Sequence, residues 1–407
     1  MPTLAPRIAR DRVTLVVGGA YVLIGAANAA IGPVSDQLRS SLRLSGAVTG
    51  LHGALFGWFL LACGLLSTRI IRVVGVATLL RVAAAAMGIG LVVLACGRHV
   101  AVTIVGALIV GLGGAVLVLA APQIVSAHHG PARRGAAFTL VTGLSQIGSI
   151  GAPLVLAVSL RAHWGWRWPV GAIGAAGGAL VAWGAVRTEL PHHLTDGPAP
   201  HTSALAHLRR PLVRARWLVL TLGISVEFAV LFWASASVRE LAGASAAAGA
   251  VGVGLFAGGM GVGRMVGTRV LPRVADVHVL RTSFGVAAVG AVFLRVGPGV
   301  GVRLVALAAI GLGLSLVYPV AFSRLYGAGV PDADAGAVGA LASGTAVTFS
   351  PLALGALTDA SSLGWALWIV PAMALAGLLA ACASRRGAAQ DTSPGSGPAV
   401  VYKNGRR

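Results

Sequence analysis

Long apolar runs alternate with short polar or basic segments along almost the whole chain. The runs are bounded by arginine, proline and polar clusters. A hydrocarbon core about 30 Å thick requires roughly 20 apolar residues per helix, and the runs meet that length. The pattern therefore predicts an all-α membrane protein with twelve transmembrane helices, which begin near Val13, Ala47, Val76, Val100, Ala136, Pro169, Trp217, Ala246, Val279, Val302, Ala335 and Leu363.

Two polar segments interrupt this pattern. The longer internal one, "RTELPHHLTDGPAPHTSALAHLRRPLVRAR", separates the sixth run from the seventh, and the segment after Ala383 is rich in Gly, Pro and Ser, a composition typical of disorder. The predicted organisation is an N-terminal segment (1–12), a six-helix bundle (13–186), a linker (187–215), a second six-helix bundle (216–384) and a disordered tail (385–407).

The two predicted bundles repeat each other at an offset near 200 residues. Matched positions occur in the same order in both halves: Leu55-Phe56 with Leu255-Phe256, Arg69 with Arg269, Arg81 with Arg281, and Gly111 with Gly311. A parallel repeat of six helices is one architecture of secondary transporters. The repeat argues against a cleaved signal peptide ending near "AANAA", Ala26 to Ala30, which would leave eleven spans.

Composition and charge support a membrane location. Hydrophobic residues make up 57% of the chain and charged residues only 10%, whereas soluble domains have about 25% charged residues. The net charge of +20 is spread singly or in pairs between apolar runs, so it does not form the basic face of a nucleic-acid site. Of the 31 Lys and Arg, 23 fall on the side of the termini and 8 on the other, which predicts that both termini are cytoplasmic in the cell membrane.

The sequence offers little enzymatic or metal chemistry. The cysteines lie inside apolar runs without CxxC spacing, and the pairs His128-His129 and His192-His193 have no acidic neighbour at ligand spacing. We therefore expect no metal, no cofactor and no enzyme activity. The glycine-rich run "GAVGVGLFAGGMGVG" lacks the following Lys-Ser/Thr of a phosphate loop and has small-residue spacings that favour close helix packing. With no ATP-hydrolysing domain in this sequence, gradients would have to drive any transport.

Several motifs resemble the major facilitator superfamily from about Val13 to Ala383. "WGWRWPV" is similar to the start of helix 6, "GLLSTRIIRVVG" and "GRMVGTRVLPRV" to the signature loops after helices 2 and 8, and "GLSQIGSIGAP" to the Gly/Pro motif of antiporters in helix 5. The resemblance implies that helices 1, 4, 7 and 10 line a central cavity and that helices 3, 6, 9 and 12 face lipid. Ser67-Thr68 replaces the usual loop aspartate, and helix 4 lacks the Arg-x-x-Gln-Gly pattern of drug exporters.

Glu227 is the main candidate for the transport chemistry. It lies near the middle of the apolar segment "TLGISVEFAVLFWASAS", where an acid is unfavourable by roughly 2.5 to 3.5 kcal/mol and is expected to face a cavity or a partner. The residues on its own helical face cannot neutralise it. Two interpretations remain open. Glu227 either couples protons or binds a cationic substrate, or it stays neutral and forms a hydrogen bond that fixes helix packing.

Other polar and aromatic residues at membrane depth are candidates for the substrate cavity, with a packing role as the alternative for each: Tyr21, Asn28, His52, Gln146, Trp233 and Tyr318. The resemblance adds the arginines of the two signature loops as part of a cytoplasmic gate: Arg69, Arg72, Arg264 and Arg269. We expect a monomeric secondary transporter for a small organic solute in contact with membrane lipids, with proton-coupled efflux favoured by the helix 5 motif. Proton-coupled uptake of a sugar or other small metabolite is the alternative, and a non-transporting membrane sensor is the alternative of another class.

Overall fold

In the part of the chain that the structure describes, twelve long helices follow one another, most of them joined by short turns. The computed structural model describes residues 11–191, 204–326, 328 and 330–390. The predicted number of spans is confirmed, since twelve described helices are long and apolar enough to cross a membrane. They are α1 Arg12–Leu42, α2 Gly46–Val74, α3 Val76–Cys96, α4 Val100–Gly130, α5 Arg133–Arg161, α6 Arg167–Arg187, α7 Pro211–Ala242, α8 Ala246–Val270, α9 Asp276–Val296, α10 Gly299–Tyr326, α11 Asp332–Ala360 and α12 Leu363–Gln390.

Helix ends differ slightly from the predicted segment boundaries. Helix α7 begins at Pro211, inside the predicted linker, because proline is well tolerated in the first turn of a helix. A short helical turn, Ala204–His207, precedes it. Helix α12 continues to Gln390, which is past the predicted start of the tail. Residues 1–10 and 391–407, which hold most of the predicted terminal segments, lie outside the described residues.

Several of the long helices are interrupted, and two of the breaks have a local cause. Gly130 separates α4 from α5 with φ 65° and ψ 177°, values that a residue with a Cβ atom rarely adopts. Helix α10 is interrupted between Leu314 and Val317, because the Pro319 ring cannot coexist with a helical carbonyl four residues earlier. In α6, Ile173–Gly177 form a single π-helical turn.

The internal repeat predicted from the sequence has a structural basis. Ser45 and Ser245, 200 residues apart, cap α2 and α8 by accepting a hydrogen bond from the backbone N–H three residues later. Gly111 of α4 packs against the backbone of Leu55, and Gly311 of α10 packs against the backbone of Phe256. The matched glycines therefore mark the same close helix crossing in each half.

Each half has its own hydrophobic core. One buried cluster is built almost wholly from α1 to α6 and the other almost wholly from α7 to α12. Large apolar side chains remain exposed on α3, α6, α9 and α12, for example Ile89, Leu180, Val289 and Leu379 at 58%, 71%, 58% and 68%. Such exposure suits helices that face lipid, as the resemblance implied.

With an even number of spans, the start of α1 and the end of α12 lie on the same face of the molecule. We call this the terminal face and the opposite one the distal face. The loops joining α1 to α2, α7 to α8 and α11 to α12 are all distal. Within the described residues, the two halves meet along four helix pairs, α1 with α7, α1 with α8, α2 with α11, and α5 with α8.

Candidate functional site

The two halves are joined at the distal face by a buried ion pair. Asp36 of α1 is 2% exposed and accepts from Arg239 of α7, with Nη2 2.7 Å from Oδ1 and Nε 3.0 Å from both carboxylate oxygens. Ser235, one turn earlier on α7, also donates to Asp36 at 3.2 Å. A carboxylate and a guanidinium in this geometry bind more strongly than neutral hydrogen-bonding groups. This pair therefore fastens α1 to α7.

Two further contacts reinforce the distal closure. Arg39 donates to Glu240 at 2.7 Å, and Asp359 at the end of α11 accepts from the first N–H groups of α2, at 2.5 Å from Gly46 and 2.8 Å from Ala47. A carboxylate at a helix N-terminus satisfies unpaired donors and complements the helix dipole. Together Asp36, Arg39, Arg239, Glu240 and Asp359 form what we call the distal gate.

Below the distal gate, α2 and α11 touch backbone to backbone. A Cβ atom on Gly46 or Gly355 would collide with the carbonyl oxygen of the other, and one on Gly57 would collide with the backbone of Thr348. Gly50 approaches the carbonyl of Pro351 in the same way. Gly46, Gly50 and Gly57 lie on the face of α2 that meets α11, and the absence of side chains there lets the two helices approach closely.

The halves separate toward the terminal face. A Cβ atom on Gly143 or Gly135, in the terminal half of α5, would meet no atom within 4 Å. Among the described residues, the hydrogen bonds and ion pairs between the halves all lie in the distal gate or at Gln146. The described contacts between the halves therefore close the space between the bundles at the distal end, and none of them closes it at the terminal end.

Glu227 lies in this space, partly exposed, on α7. The guanidinium of Arg264 on α8 is the nearby charge that acts on it, and no described residue forms a hydrogen bond with the Glu227 carboxylate within the distances of a normal bond. The helical face of Glu227 itself offers no positive partner. The fold supplies one from the neighbouring helix.

Arg264 also contacts the first half. With the Gln146 amide oriented to satisfy both of its neighbours, its oxygen accepts from Arg264 Nη1 and its nitrogen donates to the Ala257 carbonyl at 3.2 Å. Arg264, which acts electrostatically on Glu227, is thereby hydrogen-bonded to Gln146 of α5 in the other half.

Two tyrosines complete the central group. Tyr318 of α10 is 40% exposed, lies beside Ser343 of α11, and is close enough to Glu227 and Arg264 to interact with them electrostatically. Tyr21 of α1 interacts in the same way with Tyr318 across the two halves and packs edge-on against Phe138, with ring centroids 6.2 Å apart. We call Tyr21, Gln146, Glu227, Arg264 and Tyr318 the central cluster.

Asn28 and His52 lie apart from the central cluster. They line a small cavity of about 30 Å³ between α1, α2 and α7, with Phe56, Phe228 and Phe232 among its walls. His52 is 2% exposed. Its Nδ1 lies 2.9 Å from the Val48 carbonyl and its Nε2 lies 3.1 Å from the Thr103 hydroxyl. The cavity has room for only one or two water molecules.

The remaining candidates from the sequence fall elsewhere. Trp233 is 1% exposed and donates to the Pro351 carbonyl at 3.1 Å, so in this structure it packs behind the distal gate. Arg264 belongs to the central cluster rather than to a gate, and Arg269 is exposed. The side chains of Arg69 and Arg72 lie outside the described part of the structure. The contacts that close the described part of the structure lie at the distal end, and a gate of arginines at the terminal end stays a prediction.

Sequence reasoning missed the distal gate. Asp36 and Arg239 lie near the ends of the first helix of each half, 203 residues apart, which is close to the repeat offset. A search for opposite charges at repeat-related positions would have found them. Asp359 gave no such signal, because it caps α2 across a sequence separation of more than 300 residues.

These features define a class of protein: an integral membrane protein of two six-helix bundles that meet around a polar central cluster and are joined at one end. The family model of the Major Facilitator Superfamily matches residues 17–346. The chain belongs to this superfamily, and the fold predicted from the sequence is confirmed.

Solved structures with this fold include transporters of several kinds. A bacterial homologue of the human lysosomal transporter Spinster, in an inward-facing and unoccupied conformation, is 15% identical, with 94% of this chain and 98% of that chain covered and a TM-score of 0.75. The D-xylose–proton symporter is 18% identical, with coverages of 92% and 96% and a TM-score of 0.74. The nucleoside transporter NupG is 13% identical, with coverages of 91% and 99% and a TM-score of 0.75. A search of curated proteins found no significant match to the sequence.

Proposed function

We propose that this protein is a secondary active transporter that exports a small organic solute in exchange for protons. The observation that carries the proposal is the position of Glu227, a partly exposed acid at membrane depth in a space that opens to one face only. The excess of Lys and Arg on the terminal face supports a cytoplasmic location of that face. The structure then corresponds to an inward-open state in the cell membrane.

Arg264 gives the exchange a physical basis. Ionised Glu227 lies within the electrostatic reach of Arg264, so the two charges partly neutralise each other in the cavity. Protonation of Glu227 removes that compensation and leaves Arg264 held by Gln146 alone. A proton and a substrate that interacts with Glu227 therefore compete for the same carboxylate. Because only one of the two is bound at a time, the movement of protons down their gradient can drive the substrate in the opposite direction against its own gradient.

Proton-coupled uptake of a sugar or similar metabolite is the second candidate. The fold is shared with the D-xylose–proton symporter, and the central cluster offers a tyrosine hydroxyl, an amide and a guanidinium as hydrogen-bonding groups. Sites that select polar small molecules combine an apolar wall with a few such groups. In this case Glu227 would carry the proton inward together with the solute.

Reconstitution tests both candidates. The purified protein is placed in liposomes with an imposed pH gradient and challenged with a panel of sugars, amino acids and organic cations. For efflux, solute accumulates on the side from which protons leave, and for symport it accumulates on the side that protons enter. Glu227→Gln should abolish accumulation driven by the gradient while leaving solute exchange at equal pH.

Glu189→Gln is the matched control, since Glu189 is exposed beyond the end of α6 and should change neither activity. Gradient-driven accumulation that persists in Glu227→Gln would exclude this carboxyl as the coupling group. Failure of the wild-type protein to move any solute in the panel, with binding retained, would favour the sensor alternative.

A further inference from the structure

A cluster of two histidines and one aspartate lies on the terminal face, away from the central cavity. His128 and His129 end α4, and Asp11 precedes α1. His128 Nε2 lies 3.0 Å from Asp11 Oδ2, and His129 Nε2 lies 3.8 Å from the same oxygen. The sequence spacing gave this histidine pair no acidic neighbour, but the fold supplies one. We propose that Asp11, His128 and His129 form a binding site for a divalent transition-metal ion, with Zn²⁺ as the reference ion.

The distances fit such an ion. The three candidate ligand atoms all lie within 4.8 Å of one another. Zinc ligands at about 2.0 to 2.2 Å in tetrahedral geometry are separated by roughly 3.3 Å from each other. The observed separations bracket that value, so small side-chain rotations bring the three atoms onto one ion. Two imidazoles and a carboxylate leave a fourth position for water, as in other three-ligand zinc sites.

The ligand types favour a transition metal over Ca²⁺ or Mg²⁺. Imidazole nitrogen suits Zn²⁺, Cu²⁺, Ni²⁺ and related ions, whereas Ca²⁺ and Mg²⁺ prefer oxygen ligands. The two rings are in edge-on contact with centroids 4.8 Å apart, so two imidazolium charges would repel each other. A metal ion binds both rings in their neutral form and so avoids this repulsion. Protonation of both rings would create it.

The surroundings hold the Asp11 carboxylate beside the two rings. The backbone N–H and the hydroxyl of Thr14 each donate to Asp11 Oδ2 at 3.0 Å. The Thr14 hydroxyl also lies 2.8 Å from His129 Nε2 and must turn away when that nitrogen binds a metal. Arg133 contributes an opposing positive charge, but it is exposed and therefore screened by water.

Occupancy would connect two parts of the first half. Asp11 caps α1, while His129 directly precedes Gly130 at the break between α4 and α5. A metal ion would therefore pin this turn to the start of α1. The site lies outside the cavity and its existence does not depend on the transported solute, so it can be tested by binding alone.

The experiment measures Zn²⁺ and Co²⁺ binding to the full-length protein after removal of any affinity tag. We expect the wild-type protein to bind one metal ion per chain. The affinity for this ion should be at least tenfold lower, or binding should be absent, in Asp11→Asn, His128→Ala and His129→Ala. Asparagine is as good an N-cap as aspartate, so Asp11→Asn preserves the start of α1 while weakening the ligand. Co²⁺ should give the visible absorption of a tetrahedral site in the wild-type protein only.

Two control variants remove histidines elsewhere. His192→Ala with His193→Ala removes the other adjacent pair in the chain, and His99→Ala with His278→Ala removes two exposed residues. Zn²⁺ should raise the Tm of the wild-type protein because it binds the folded state. Both control variants should keep wild-type binding and the same increase in Tm. The site is refuted if wild-type protein binds no Zn²⁺ beyond the level of Asp11→Asn, or if either control loses as much binding as His128→Ala.

Discussion

Breaking the buried ion pair of the distal gate should shift the protein toward a state that is open at the distal face. In Asp36→Asn the shape of the side chain is kept but its charge is lost. Removing one member of a buried pair is unfavourable by about 3 to 5 kcal/mol. The Arg239 side chain is 29% exposed and regains some hydration when its partner loses its charge. We therefore expect Asp36→Asn to disfavour the closed gate by about 2 kcal/mol. At 1.36 kcal/mol per factor of ten, this is about a 30-fold shift in the equilibrium between the two states.

The assay measures the separation of the two halves at the distal face. Spin labels on Ser40→Cys and Ala242→Cys, in a background without the three native cysteines, report the distance between the ends of α1 and α7 by pulsed electron resonance. The wild-type protein should give mainly the short distance. Asp36→Asn should give a large fraction at a longer one.

Arg39→Gln provides the comparison that tests the role of burial. The side chain of its partner Glu240 is 31% exposed whereas that of Asp36 is 1% exposed, and the two arginines are exposed to a similar extent, 21% and 29%. Exposed pairs contribute only about 0.2 to 1 kcal/mol, so the shift should not exceed about fivefold. If Asp36→Asn leaves the distance distribution unchanged, or if Arg39→Gln changes it equally, the buried pair is not what holds the gate.

Three further predictions concern other parts of the structure. Gly57→Ala places a methyl group against the Thr348 backbone and should disfavour the closed gate by about 1 to 3 kcal/mol in the same distance assay, whereas Gly143→Ala, which meets open space, should have no effect. Arg264→Gln removes the charge opposite Glu227 and should weaken the dependence of transport on the pH gradient, measured in liposomes. The pKa of Asp11 is lowered in the folded protein, so its stabilising contribution is present above its ordinary value of 3.8 and is lost as the pH falls through the folded value. The Tm of Asp11→Asn should therefore fall less than that of the wild type on acidification below about pH 4.

The fold could be predicted from the sequence because it depends on local composition. An apolar run of sufficient length must form a helix in lipid, since no water is present to bind free backbone groups. The repeat at an offset near 200 then gave two bundles, and Gly111 with Gly311 shows why the match exists, because each residue sits at a helix crossing that excludes side chains.

The central cluster could be predicted only in part. Tyr21, Gln146, Glu227 and Tyr318 stood out as polar residues at membrane depth, and they do lie near one another. Arg264 was assigned to a gate because the resemblance placed it in a loop motif, and helical spacing on α7 could not identify a partner on α8. The conformation also could not be predicted, because two states of one sequence share the same composition.

The seam between α2 and α11 has a consequence for the speed of the conformational cycle. Glycine faces such as Gly46, Gly50 and Gly57 carry no side chains that interlock with the other helix. At these positions the two helices can part and rejoin with few changes of rotamer, which keeps the activation barrier low there, although deeper in the seam the Leu61 side chain of α2 packs against Gly344 of α11. The attraction that resists opening is concentrated instead in the few polar groups at its distal end. The strength of the distal gate therefore sets the lifetime of the closed state, while the glycine positions between α2 and α11 contribute little to it.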